Sequence, residues 1–294
     1  MTTFANPTIS TRAMLVDLTI RQWSGTKNDK TVSREVARNH GADETMGRYN
    51  KSLISKEAIE KIRKLAVEIA AEHRRRTLPW LDTGARILSS AGYQDYAAKM
   101  REFSDRWDVA VSDFVSNYDD YRDDARNRLG SLFNDADYPS RWAISERFAV
   151  GYNVLPVPDA SDFRVDLGDY ETARIQRSIE DASRAATEQA MGDVRDRIVD
   201  TVTHMVDRLN AYTVTAEGVS GVFRDSLVEN VRSLVDILPS LNLTQNPALD
   251  RTISRMRDEL CKHSADKLRI DRRAREETAA AAADILSTMA DFVA

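Results

Sequence analysis

Two stretches of this chain repeat apolar residues at helical spacing over more than thirty residues each, and they constrain the fold more than any other feature. Tyr96, Met100, Phe103, Trp107, Val111, Phe114, Tyr118, Tyr121, Ala125 and Leu129 form the first, in steps of three and four. Ile175, Ile179, Ala182, Ala186, Ala190, Val194, Ile198, Val202, Met205 and Leu209 form the second. Residues so spaced lie on one face of a helix. The spacing therefore predicts helices of up to nearly forty residues, on the order of 55–60 Å long, beyond the width of a compact domain. The second stripe repeats nearer 3.8 than 3.5 residues, which disfavours a left-handed supercoil.

Composition excludes several classes. Among 294 residues, 11 Gly and 7 Pro are too few for a loop-rich β-sandwich, while 42% hydrophobic and 30% charged residues suit a globular chain. One cysteine allows neither an internal disulfide nor a zinc site of the Cys type. Met1 to Ser10 carries no basic and apolar leader pattern, and the alanine-rich tail Thr278 to Ala294 contains Asp284 and Asp291. No secretory signal or membrane span is expected, so the expected location is the cytoplasm, of a host cell if the chain is phage-encoded.

The remaining elements follow from shorter patterns. Met14, Val16, Leu18 and Ile20 alternate as a half-buried strand does. A polar, irregular arm runs from there to about Ile54. Ser55 then caps a helix whose face is Ile59, Ile62, Ala66 and Ile69, and Leu78-Pro79 stops it after Arg76. Gly130 and the Asn134 to Pro139 run end the first long stripe. Phe148 to Val154 and Phe163 to Leu167 alternate about a Pro-rich turn, predicting a hairpin. Another helix is expected over Glu217 to Leu238, halted by Pro239, and a last long one from the Asn246-Pro247 cap. The expected fold is mainly α: long antiparallel helices with a small three-stranded antiparallel sheet. Residues 1–294 are read as one elongated domain, with a strand and arm in 1–55, helices in 56–140, a hairpin in 141–169 and long helices in 170–294.

Chemistry-bearing motifs are few. Asp119, Asp120, Asp123, Asp124, Asp135 and Asp137 offer oxygens to a hard cation, but Arg122, Arg126 and Arg128 among them read as an ion-paired face. Cys261 and His263 are two residues apart and point different ways on a helix. No HExxH, GxxxxGK[ST] or GxGxxG occurs, so no enzyme class, metal or cofactor is expected. Charge is unevenly spread. Residues 1–90 hold 16 Lys/Arg against 10 Asp/Glu, and residues 91–170 hold 9 against 16. A basic third beside an acidic one can pair within the chain, with another copy, or with a polyanion. Lys61, Lys64, Arg74, Arg75 and Arg76, with Trp80 close by, form the candidate polyanion-binding set, since such side chains meet phosphates and an aromatic stacks on a base. The same arginines in a last helical turn equally suit the carbonyls and dipole there.

Several segments resemble an uncharacterised family of phage, prophage and proteobacterial proteins. They are Asp17 to Lys30 (DLTIRQWSGTKNDK), Gly47 to Lys51, Thr77 to Trp80, Leu129 to Phe133, Leu155 to Asp159, Phe223 to Leu227 and Leu238 to Leu243. The family is a domain of unknown function, some of whose relatives are encoded near MoxR-type AAA ATPases and von Willebrand factor A proteins. The resemblance implies a non-enzymatic helical protein that self-associates or docks on a partner such as an AAA ATPase, and it assigns no site residues. The alternative is a nucleic-acid-associated factor using the basic third. The long apolar stripes lead us to expect a homo-oligomer and no membrane partner.

Overall fold

A computed structural model of the chain describes residues 9–81, 84–165, 167–215 and 218–290. Its elements in chain order are β1 (Ala13–Arg21), β2 (Thr26–Asn28), α1 (Lys30–Asn39), β3 (Asn50–Ser52), α2 (Lys56–Arg76), β4 (Leu78–Pro79), β5 (Arg86–Ser89), α3 (Tyr93–Ser116), α4 (Tyr118–Leu129), α5 (Arg141–Ser145), β6 (Ala149–Pro156), α6 (Asp169–Ala211), β7 (Thr213–Thr215), β8 (Gly218–Ser220), α7 (Ser226–Leu241), α8 (Pro247–Arg255), α9 (Ala265–Ile270) and α10 (Arg272–Ala290). The fold is mainly α. The described residues group into two compact units made of non-contiguous segments, where the helical stripes had suggested a single body. Unit 1 draws on Met1–Asp17, Arg74–Tyr96 and Val154–Ala294, and unit 2 on Leu18–His73 and Ala97–Asn153.

The sheet has four strands, in the order β4-β5-β1-β6, instead of the expected three. β1 pairs antiparallel with β5, Ala13 opposite Ser89 and Val16 opposite Arg86, and β5 pairs with β4. β4 and β5 are two and four residues long, too short to show an alternation. The second arm of the predicted hairpin is no strand: Phe163 and Val165 lie in irregular chain, and 166 is outside the described residues. Asp159 explains the departure. Its side chain accepts from the Ser161 N–H (2.9 Å) and the Ser10 hydroxyl (2.6 Å), turning the chain into a single 3-10 turn after the prolines.

In unit 2, Ser55 Oγ accepts from the Ala58 N–H (3.2 Å) and opens α2 as expected. Ile59, Ile62, Leu65, Ala66 and Ile69 are buried along it. The arm before it is ordered, contrary to the irregular stretch anticipated. β2 pairs with β3, and Asp29 caps α1 by accepting from Thr31 and Val32. The first long stripe is not one helix. At Asn117 the side-chain amide donates to the Asp113 carbonyl (2.8 Å) beside the backbone N–H of the same residue (3.2 Å), and a one-residue break separates α3 from α4. The aromatic line is engaged inside the unit. Phe114 sits 5.4 to 6.4 Å, centroid to centroid, from the rings of Trp23, Tyr118, Tyr121 and Phe148.

In unit 1, α6 is one continuous helix of 43 residues, about 64 Å at 1.5 Å per residue. Its stripe is buried only from Ala186 to Leu209; Ile175 and Ile179 are half-buried and Ala182 is exposed. α10 packs along α6 through small residues, Ala274, Ala279 and Ala282, and Arg275 lies over the Tyr212 ring at 5.1 Å. α7 starts at Ser226, after the paired strands β7 and β8, while Glu217, the expected start, lies outside the described residues; Pro239 sits inside α7 without stopping it before Leu241. Gly221 (φ +78°) closes the connection after the hairpin, where a Cβ would collide with the Ala211 carbonyl. The expected last long helix is interrupted by a π-helical turn at Met256–Leu260 and again before α9 and α10, although Asn246 and Pro247 cap α8 as anticipated. Among the described residues, no helix is long and apolar enough to cross a membrane.

Candidate functional site

The basic run at the end of α2 meets a helix of its own unit. Arg197 of α6 donates to the carbonyls of Arg75 (2.8 Å), Arg74 (3.0 Å) and Thr77 (2.8 Å), and its Nε pairs with Asp193 at 2.7 Å. These are carbonyls that a helix end leaves without intrahelical partners, and a forked guanidinium suits them. Arg86 completes the arrangement through the Thr77 hydroxyl (2.8 Å) and carbonyl (3.0 Å). Burial first, then the charges of Arg197 and Arg74, pull the Arg86 guanidinium below its ordinary range. Cations are therefore crowded here.

A groove opens from this corner. α6 and α7 form its walls and run in opposite directions along it. Arg74, Arg75, Arg197, Asp200 and Thr201 line one end, in a hollow of about 610 Å³. Arg208, Arg224 and Ser226 line the other, in an adjoining hollow of about 330 Å³. His204, Leu227 and Asn230 belong to both hollows, and Leu234 and Ile237 complete an apolar floor. From Arg197 to Arg208 the groove follows about 16 Å of α6. Arg74, Arg208 and Arg224 are exposed and make no ion pair among the described residues, and the Asp200, His204 and Asn230 side chains have no hydrogen bond there. Arg74, Arg208 and Arg224 against Asp200 leave an excess of positive charge in a concave surface.

The candidate polyanion set is thus divided. Arg74 and Arg75 line the groove. Arg76 is half-buried. Lys61 and Lys64 belong to unit 2, where they pair with Asp113 (3.5 Å) and Glu60 (2.8 Å). Trp80 is 1% exposed in the core and offers no face to a base. Arg197, His204, Arg208, Arg224 and Asn230 were not singled out from the sequence. Their signal was present: residues 197, 200, 201, 204 and 208 share the side of α6 next to the buried line 198, 202, 205 and 209.

Unit 2 holds a second charged cluster, of opposite character. Lys51, 5% exposed, donates to Asp29 (3.0 Å), Asp137 (2.7 Å) and the Leu132 carbonyl (2.8 Å), while Lys27 reaches Asp137 at 2.6 Å. Burial disfavours the Lys51 ammonium, yet its bonds to Asp137 and Asp29 outweigh that and raise its pKa. Burial likewise opposes the Asp137 carboxylate, but Lys27 and Lys51 hold it below 3.8. The bond from Lys51 lowers Asp29 first, followed by the Val32 N–H. All three ammonium donors of Lys51 are engaged, so the group is neither base nor nucleophile. The segments 17–30, 47–51 and 129–133, which carry the family resemblance, meet at this cluster.

Other reactive groups are occupied as well. Asp119 pairs with Arg141 (2.5 Å), Asp124 with Arg128 (3.3 Å), and Asp135 with Arg122 (3.1 Å) and Arg126 (3.2 Å). No group of acidic, His or Cys side chains suited to a metal occurs among the described residues. Burial pushes the Cys261 thiol up, away from the reactive thiolate, and pushes the Tyr118 phenol to about 12. Set against family models, curated proteins and solved structures, the chain matches none.

Proposed function

We propose that this protein works by docking, through the α6–α7 groove of unit 1, as a non-enzymatic component of an assembly that includes further copies of itself. One observation carries the reading: a concave, net-positive surface on which Arg74, Arg208 and Arg224 make no ion pair among the described residues. Unpaired like charges gathered in a hollow repel one another, and an acidic partner relieves that repulsion while its own charges are desolvated. The apolar floor of Leu227, Leu234 and Ile237 adds a strip that a packed partner would cover. A nucleic-acid reading uses the same cations but loses its aromatic platform, because Trp80 lies in the core.

His204 tests the reading directly, since it is exposed at the waist of the groove. Carbethoxylation of His204 is followed by mass spectrometry as protein concentration rises, with exposed His40 of unit 2 as the reference. Docking in the groove slows modification of His204 relative to His40 at high concentration. A heavier species in which His204 reacts as fast as in the dilute protein removes the groove from the account.

A further inference from the structure

We infer that the occupant of the groove is the acidic side of α3–α4 from a second copy of this chain. The inference rests on the docking reading above and names the partner. Within unit 2, α4 divides its charges by face. Arg122 and Arg126 turn to Asp135, while Tyr118 and Ala125 are buried. Asp120, Asp123 and Asp124 point outward together, spaced as neighbours on a helix surface are. Asp113, seven residues before Asp120, continues this line onto α3, as does Val109, which is 65% exposed. Asp120 and Asp123 make no ion pair among the described residues. Asp113 and Asp124 hold exposed single partners, Lys61 at 3.5 Å and Arg128 at 3.3 Å.

The match is one of sign, length and texture. Asp113 to Asp124 spans eleven residues, about 16 Å along α3 and α4 across the one-residue break at Asn117, close to the rise from Arg197 to Arg208 along the groove wall. Carboxylates at both ends of that line meet Arg74 at one end of the groove and Arg208 and Arg224 at the other. Ser116 falls between Asp113 and Asp120, opposite the polar waist of His204 and Asn230. Each copy carries a groove on unit 1 and an acidic line on unit 2. The contact is therefore head to tail, and it continues from copy to copy unless the arrangement closes into a ring. Such an interface forms quickly and weakens with salt, because exposed charges are screened.

Charge reversal and exchange test the pairing, with native mass by light scattering as the readout. Arg74→Glu with Arg208→Glu reverses the groove; Asp120→Lys with Asp123→Lys reverses the acidic line. All four positions are exposed, and unchanged melting temperatures verify that both variants fold. Wild type in low salt is expected to exceed 33.1 kDa and to gain mass with concentration, while each variant alone runs at 33.1 kDa. An equimolar mixture of the two variants is expected to regain the wild-type mass, since the reversed groove accepts the reversed line. If the groove variant is monomeric but the acidic-line variant assembles like wild type, the named occupant is wrong and the docking groove stands. If both variants assemble like wild type, the groove falls with its occupant. A mixture that stays at 33.1 kDa, with both variants folded, also overturns the pairing.

Discussion

The Lys51 cluster of unit 2 and the groove of unit 1 are built from the same kinds of side chain and end in opposite states. At Lys51, two cations meet two carboxylates, and each ammonium donor of the buried Lys51 finds an acceptor. In the groove, one guanidinium, Arg197, is fully engaged in holding the end of α2, while Arg74, Arg208 and Arg224 stand around the hollow without an ion pair among the described residues. Closed charge fixes a local structure; open charge of one sign in a concave surface invites a partner. The difference also explains why perturbed pKa values alone do not mark a functional site here. Lys51 and Asp137 are both shifted, and both are locked.

The comparison makes its largest claim at Lys51. Lys51→Met leaves Asp29 and Asp137 facing each other without their shared cation, and is expected to cost about 3 kcal/mol in urea unfolding, as breaking a buried pair does. A loss within the range of an ordinary surface substitution would show that the cluster is incidental. Arg197→Ala comes next, at about 2 kcal/mol, because three carbonyls and Asp193 lose a charged donor. This variant sharpens the distinction within the groove, separating the arginine that holds the fold from those that await a partner.

The pH dependence follows from the sign of each shift. Asp137 and Asp29 are held below 3.8, so the stability they contribute is present above that pH and is lost as pH falls through their lowered values. Lys51 is raised above 10.5, so its share is present below that pH and is lost as pH rises past it. A urea midpoint series over pH is expected to stay level between these limits for this cluster, and Lys51→Met is expected to flatten the acid limb. Arg74→Gln, in contrast, should change stability by less than about 0.5 kcal/mol, since the residue is exposed and glutamine is a good helix former. Its effect is expected in native mass alone. The smallest expected effect is that of divalent ions. The melting temperature is expected to be the same in magnesium, calcium or EDTA, because no group of acidic, His or Cys side chains among the described residues is arranged to hold a metal; a bound ion at a hundredfold excess over Kd would add about 2.7 kcal/mol.

Much of the fold was legible because it rests on strong, long-range periodicity. The stripe from Ala186 to Leu209, the α2 face, and the caps at Ser55 and Asn246 are all written in residue spacing and local hydrogen-bonding chemistry. The misses have local causes. The break at Asn117 is one residue long and leaves the apolar spacing intact, so periodicity could not reveal it. Asp159 replaces a hairpin by a 3-10 turn in the same way. β4 and β5 are too short for any pattern. The groove was half visible. Arg74 and Arg75 stood out as a run, but Arg208 and Arg224 lie well over a hundred residues later in the chain, and only the antiparallel course of α6 and α7 brings them into line with the end of α2. Trp80 misled for the opposite reason: proximity in sequence to three arginines says nothing about which way a side chain faces.

The central claim is that groove charges left open within one copy are closed by another. The native mass of the wild-type chain across a salt series tests it most directly. A mass above 33.1 kDa in low salt, rising with concentration and falling towards 33.1 kDa as salt is raised, is the expected result. A mass of 33.1 kDa at every salt and protein concentration would contradict it.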